Sequence, residues 1–237
     1  MRNTPASFAV SLLILATSSV YGRGQDARPP AGLQPQVVFT YERLGLSVPK
    51  YRFTVHSDGA AVYEGEELPR AVGPGPVGAS PAQPFRHQVM ISQATADRIF
   101  ALGRKLDRFN TACASKAKNI ADTGTKTLTY TASDGSGSCT YNYSESKEVQ
   151  AETEIFEGIA ETLDEGRQLD HLHRYDRLGL DDAMTLLTQE VSTGRALEVG
   201  TIAACLRSIA DDADVIQRVR ARARTLLAQV PDDSQAP

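Results

Sequence analysis

Residues 51–64 read Tyr51-Arg52-Phe53-Thr54-Val55-His56-Ser57-Asp58-Gly59-Ala60-Ala61-Val62-Tyr63-Glu64. Tyr51, Phe53 and Val55 alternate with Arg52, Thr54 and His56, the period of a half-buried strand. Asp58-Gly59 supplies turn chemistry, after which Ala61 and Tyr63 resume the alternation. A two-residue loop sets Val55 opposite Val62. A three-residue loop, Ser57-Asp58-Gly59 with Gly59 left-handed in a bulge, sets Val55 opposite Ala61 and Phe53 opposite Tyr63. A one-residue slip moves a whole face from core to solvent. The bulged turn gathers Tyr51, Phe53, Val55, Ala61 and Tyr63 on one face, so it is the register the apolar pattern selects.

Outward from this hairpin, residues 37–42 are rich in β-branched and aromatic side chains and predict a strand. Gly45 and Pro49 separate it from the hairpin. Residues 68–84 carry repeated Pro and Gly without periodicity and predict a long loop. A loop of that length is either an extended recognition segment or a disordered insertion. Residues 85–91 predict a strand with Phe85, His87, Val89 and Ile91 on one face, where His87 reads as a satisfied core histidine. Ser92 offers an N-cap. Ile99, Leu102, Leu106 and Phe109 recur at helical spacing, which predicts a helix over 93–108 lying on the sheet.

Residues 110–124 read as a polar loop. A second hairpin follows, with strands 127–132 and 139–143 and a turn over 133–138. Cys139, Tyr141 and Tyr143 share one face of its second strand. A helix over about 147–165 carries Val149, Phe156, Ile159 and Leu163 on one side and Glu148, Glu152, Glu154, Glu157 and Glu161 on the other, an acidic run read as a solvated face. Beyond residue 175 only helices are expected. Asp181 or Asp182 caps the first and Gly194 ends it, a second carries Ile202, Leu206 and Ile209, and the last runs to Pro231. Arg218, Arg220, Arg222 and Arg224 flank the apolar stripe of the last helix and read as solvated. The expected fold is therefore α+β. An antiparallel sheet of two hairpins plus further strands is covered by two helices and followed by a small C-terminal helical bundle, with the α+β part over 36–173 and the helical part over 174–232.

The chain has 237 residues, 41% apolar and 23% charged, ordinary for a globular protein, and its formal net charge of -4 implies no general nucleic-acid affinity. Arg2, an apolar run over 8–16 and small residues up to Val20-Tyr21-Gly22 read as a secretory signal peptide over 1–22, with an uncleaved anchor as the alternative. Residues 23–35 read as a flexible leader. No later stretch has the roughly 18 apolar residues of a membrane span, so no span remains after signal cleavage. Export to the periplasm or beyond places the three cysteines where a pair oxidises. Cys113 follows the first helix and Cys139 opens the last strand, on the face that helix is expected to cover. These two are expected to bridge, leaving Cys205 as a reduced, buried thiol.

The pattern Tyr51-x-Phe53-x-Val55-x-x-Asp58-Gly59-x-x-x-Tyr63-x-Gly65 resembles uncharacterised bacterial extracytoplasmic domains, in which a similar hairpin is followed by a strand, a helix and a second hairpin. The resemblance covers about residues 36–165. It implies an exported domain and carries no catalytic residues.

The metal candidates are Asp170, His171, His173 and Asp176, whose imidazoles and carboxylates suit Zn or another divalent ion. Their spacing is wrong for a helix, because His171 and His173 share a face only in extended chain. No nucleophile elbow, phosphate loop or haem motif is present, and Pro74 and Pro76 remove amides that a phosphate loop over Gly73–Gly78 would need. The sequence thus reads as a non-catalytic module with no cofactor, binding an unidentified protein or surface ligand through the sheet face or the 68–84 loop. The alternative is a metal-dependent hydrolase or metal-binding protein using Asp170, His171, His173 and Asp176.

Overall fold

The computed structural model describes residues 34–68 and 81–230. Six antiparallel strands form one sheet: β1 (Gln36–Glu42), β2 (Lys50–His56), β3 (Ala60–Glu67), β4 (Gln83–Met90), β5 (Thr125–Ala132) and β6 (Gly135–Tyr141), in the order β4-β3-β2-β1-β5-β6. Five helices accompany them: α1 (Gln93–Lys105), α2 (Lys147–Tyr175), α3 (Leu180–Thr193), α4 (Ala203–Asp211) and α5 (Gln217–Leu227). The α+β class is as the periodicity predicts. The signal peptide, almost all of the leader and residues 69–80 of the Pro/Gly loop lie outside the described residues.

The first hairpin takes the bulged register: Phe53 pairs with Tyr63 and Val55 with Ala61. Gly59 holds φ +82, and a Cβ there would lie 2.8 Å from the Ile91 carbonyl, so both backbone angle and space require glycine. The alternation then buries Tyr51, Phe53, Val55, Ala61 and Tyr63 together.

Phe156 on α2 stacks on Phe39 of β1, with centroids 5.1 Å apart, and meets Phe53 edge-on at 5.8 Å. Phe100 of α1 contacts Tyr130 of β5 at 5.8 Å. Helices α1 and α2 therefore cover one face of the sheet. Its other face carries Thr127 bonded to Thr140 and Thr129 bonded to Ser138, each at 2.9 Å, hydroxyl pairs that satisfy one another across neighbouring strands.

Several local expectations are corrected. β4 begins at Gln83, two residues before the apolar alternation, with Pro84 opposite Glu66. Pro is tolerated there because β4 is an edge strand. The second turn is only Ser133-Asp134: Gly135 pairs with Ala132 and Ser138 with Thr129, so four residues read as turn belong to β6. Glycine and serine in a strand are uninformative by propensity. Tyr143 lies beyond the end of β6 and is 43% exposed. The first helix ends at Lys105 and a single 3-10 turn, Asp107–Phe109, follows it. Ser92 caps it as expected, accepting from the Thr95 amide.

The largest correction concerns α2, which runs 29 residues to Tyr175 rather than stopping near 165. Gly166 lies inside the helix and serves a close approach, since a Cβ there would collide with Ile202. The stripe continues through buried Leu169 and Leu172. The boundary expected between 173 and 174 thus falls in the last turn of α2. One hydrophobic cluster extends from Val37 in β1 to Leu226 in α5. Glu152, placed on the solvated face by its composition, is fully buried. Helix α3 is preceded by Gly179 with no side-chain cap, and Asp181 and Asp182 lie in its first turn, where negative charge suits the helix dipole. Gly194 ends it in the left-handed conformation as predicted.

Candidate functional site

Tyr41 and Tyr51 are paired neighbours on β1 and β2, on the inward face of the sheet. Beyond them the β1–β2 connection, tied by the Arg43 amide to the Pro49 carbonyl at 2.8 Å, overhangs α2. On α2, Glu154, Glu157, Gly158, Glu161 and Asp164 follow at helical spacing and face this overhang. The end of α3 closes the third side: Gly194 reverses the chain, and the Leu197 amide bonds the Gly158 carbonyl at 3.0 Å. A side chain at 158 would lie 2.9 Å from Leu197 Cγ and 3.0 Å from the Arg195 carbonyl, so the crossing needs glycine. Together these elements enclose a cleft of about 830 Å³, lined also by Arg43, Lys126, Thr193 and Arg195.

Lys126 is 6% exposed. Its Nζ lies 3.1 Å from the Thr123 carbonyl, 3.8 Å from Glu157 and 5.1 Å from the centroid of the Tyr41 ring. Burial lowers the pKa of Lys126 and raises that of Glu157, so for each partner desolvation outweighs the mutual attraction. Asp164 accepts from Tyr63 Oη at 2.9 Å and Arg167 at 2.8 Å, and burial still raises its pKa. Burial, the charge of Glu190 and its hydrogen bond, and the charges of Glu165 and Asp164 push Glu161 up to about 7. The oxygens of Glu161, Glu165 and Glu190 lie within 4.8 Å of one another, and among the described residues these are the carboxylates placed to hold a metal. Shifted groups gathered in one concavity are the physical mark of a binding or reactive site.

The sequence-predicted metal residues are not brought together. Asp170, His171 and His173 lie in the last turns of α2, where residues two apart diverge by about 200°, and Asp176 is its C-cap. His171 is exposed and its ring lies tilted against Tyr175, with centroids 5.1 Å apart. His173 Nε2 pairs with Asp212 at 2.8 Å, Asp170 lies 3.9 Å from Arg174, and Asp176 ends the helix. His173 thus ties α2 to the segment after α4.

His87 faces inward beside Phe85, but its Nε2 is buried with no hydrogen-bond partner among the described residues, so it is a core histidine that is not fully satisfied. Burial lowers its pKa and keeps it neutral near pH 7. Cys113 and Cys139 form a disulfide, with Cα atoms 5.9 Å apart. The loop carrying Cys113 runs against β6, where Asn110 Nδ2 donates to the Ser136 carbonyl at 3.0 Å. Cys205 is the free thiol, only partly buried, and burial raises its pKa to about 12. Three of the four arginines of α5 are engaged rather than simply solvated, while Arg220 Nε has no hydrogen-bond partner among the described residues. Arg218 and Arg222 both donate to Asp181, at 2.9 and 2.6 Å, and Arg224 donates to the Ala210 carbonyl.

The cleft escaped sequence reasoning because its carboxylates belong to an acidic run. One signal was available: Lys126 lies two residues before Leu128, so the strand period places its ammonium on the buried face. No family model, no curated protein and no solved structure matches the chain. Among the described residues no helix is long and apolar enough to cross a membrane.

Proposed function

We propose that the protein is an exported, non-catalytic binding module, and that its site is the cleft between β1–β2, α2 and the end of α3. The observation that carries this reading is the convergence of Tyr41, Tyr51, Lys126, Glu157, Glu161 and Asp164 on one concavity. Desolvation shifts all four charged groups toward their neutral forms. A ligand bearing charges of both signs would meet acidic groups on α2 and basic groups at Arg43, Lys126 and Arg195, with tyrosine rings packing between them.

A polypeptide segment fits this chemistry best. Leu44 is 93% exposed on the connection that overhangs the cleft, and Leu46 on the same connection lines it. Exposed leucines beside tyrosines and charged groups offer a polypeptide apolar contact and polar pairing together. The disulfide and the signal-like N-terminus support export.

A peptide array varied in charge tests the proposal. Peptides bearing both Lys or Arg and Asp or Glu should retain the protein, and Lys126→Met and Glu157→Gln should each lose that retention while remaining folded. Equal retention of uncharged peptides, or cleavage of the retained ones, would reject it.

A further inference from the structure

Glu161 and Glu165 stand one turn apart on α2, and Glu190 reaches them from α3. One oxygen of each lies within 4.8 Å of the other two. Glu190 is 5% exposed, and its Oε2 is buried with no hydrogen-bond partner among the described residues. Its Oε1 is 3.5 Å from Arg195, whose side chain is largely exposed. An ionised carboxylate has only acceptor capacity, so a buried carboxylate oxygen without a donor, on a side chain grouped with two further carboxylates, calls for a cation.

We infer that Glu161, Glu165 and Glu190 form a divalent-cation site fitted to Ca²⁺. The donor set is all oxygen, which selects hard cations over Zn or Cu. Coordination habit then separates the hard cations. Ca²⁺ takes six to eight oxygens at about 2.3–2.6 Å in flexible geometry, so carboxylate oxygens lying within 4.8 Å of one another can close on it. Mg²⁺ demands near-ideal octahedral geometry at about 2.0–2.1 Å and sheds water reluctantly, so it favours one or two carboxylates over a set of three. Three carboxylates leave room for water on an ion that takes six to eight oxygens, and Glu161 lines the cleft, which supplies both water and an entry path. Glu157 and Asp164 remain in the cleft for a ligand, and the inference does not depend on what that ligand is.

Calorimetric titration of the chelator-treated full chain with CaCl₂, and separately with MgCl₂, tests the site. One Ca²⁺ per chain is expected at about pH 7.5, with a Kd of roughly 10⁻⁵ to 10⁻³ M and much weaker Mg²⁺ binding. Affinity should fall about tenfold or more by about pH 5.5, as protons reoccupy the carboxylates. Glu190→Gln should weaken Ca²⁺ binding at least about tenfold, since a neutral amide is a poorer ligand for a hard cation. If that buried substitution prevents folding, Glu161→Gln at the cleft wall must give the same loss. No heat and no thermal shift at about 10 mM Ca²⁺ would overturn the inference. Unchanged affinity in folded Glu190→Gln or Glu161→Gln would overturn it as well. Mg²⁺ binding as tight as Ca²⁺ would overturn the assignment to the larger ion.

Discussion

Replacing Glu152 should change how stability responds to pH. The residue lies on α2, is fully buried, and neither carboxyl oxygen has a hydrogen-bond partner among the described residues. Burial drives its pKa well above 4.5, and the charge of Arg98 only partly opposes this. Above the unfolded pKa and below the folded one, the native state holds a proton that the unfolded chain has released. Stability therefore falls as pH rises, by about 1.4 kcal/mol per unit for one proton. Its relative contribution is complete below pH 4.5 and is lost as pH climbs to the folded pKa. In Glu152→Gln this contribution is absent. Across the interval between the unfolded pKa and the raised folded one, the wild type should therefore lose about 1.4 kcal/mol per pH unit relative to the variant. Glu152→Met, of similar length and without an unpaired polar group, should be more stable than wild type by about 1–3 kcal/mol near pH 5, with the difference widening as pH rises. Urea unfolding followed by circular dichroism at three pH values supplies the data. Parallel stability–pH profiles for wild type and Glu152→Gln would refute the reasoning, because they would mean that the carboxyl titrates alike in both states.

The other predictions concern packing and the covalent link. Cys113→Ser, or reduction of the Cys113–Cys139 bridge, should lower stability by about 3.5 kcal/mol on the chain-entropy model for a loop of this size, read from denaturation midpoints with and without reductant. Phe156→Ala should cost about 3–5 kcal/mol by emptying the space between Phe39 and Phe53, measured by urea unfolding. Gly158→Ala should cost about 1–3 kcal/mol by forcing the Arg195–Leu197 segment away from α2, and should also weaken peptide retention, because that segment forms one wall of the cleft.

The hairpin at 51–64 was legible to its register because two local signals agree there, the apolar alternation and an Asp-Gly turn that needs a left-handed residue. Pairing of β1 between β2 and β5 was not legible, since strand order is set by long-range contacts such as Phe39 on Phe156. The Cys113–Cys139 link followed from compartment and from a helix-on-strand packing that the structure contains. Boundaries failed where the apolar stripe of α2 resumes past residue 165 at Leu169 and Leu172, and where Gly135 to Ser138 entered β6 through pairing rather than propensity. The site was the least legible. Glu157 and Glu161 look like any solvated glutamates until the β1–β2 connection and the end of α3 close over them. His171 and His173 look like ligands until a continuous helix turns them apart.

Chemical-shift mapping of the isotopically labelled protein with a peptide retained on the array tests the central claim most directly. The cleft reading predicts that the largest shifts fall on Tyr41, Tyr51, Lys126, Glu157 and Gly158, and that they vanish in Lys126→Met. Shifts confined to Thr127, Thr129, Ser138 and Thr140 on the open face of the sheet would contradict it and make that face the binding surface.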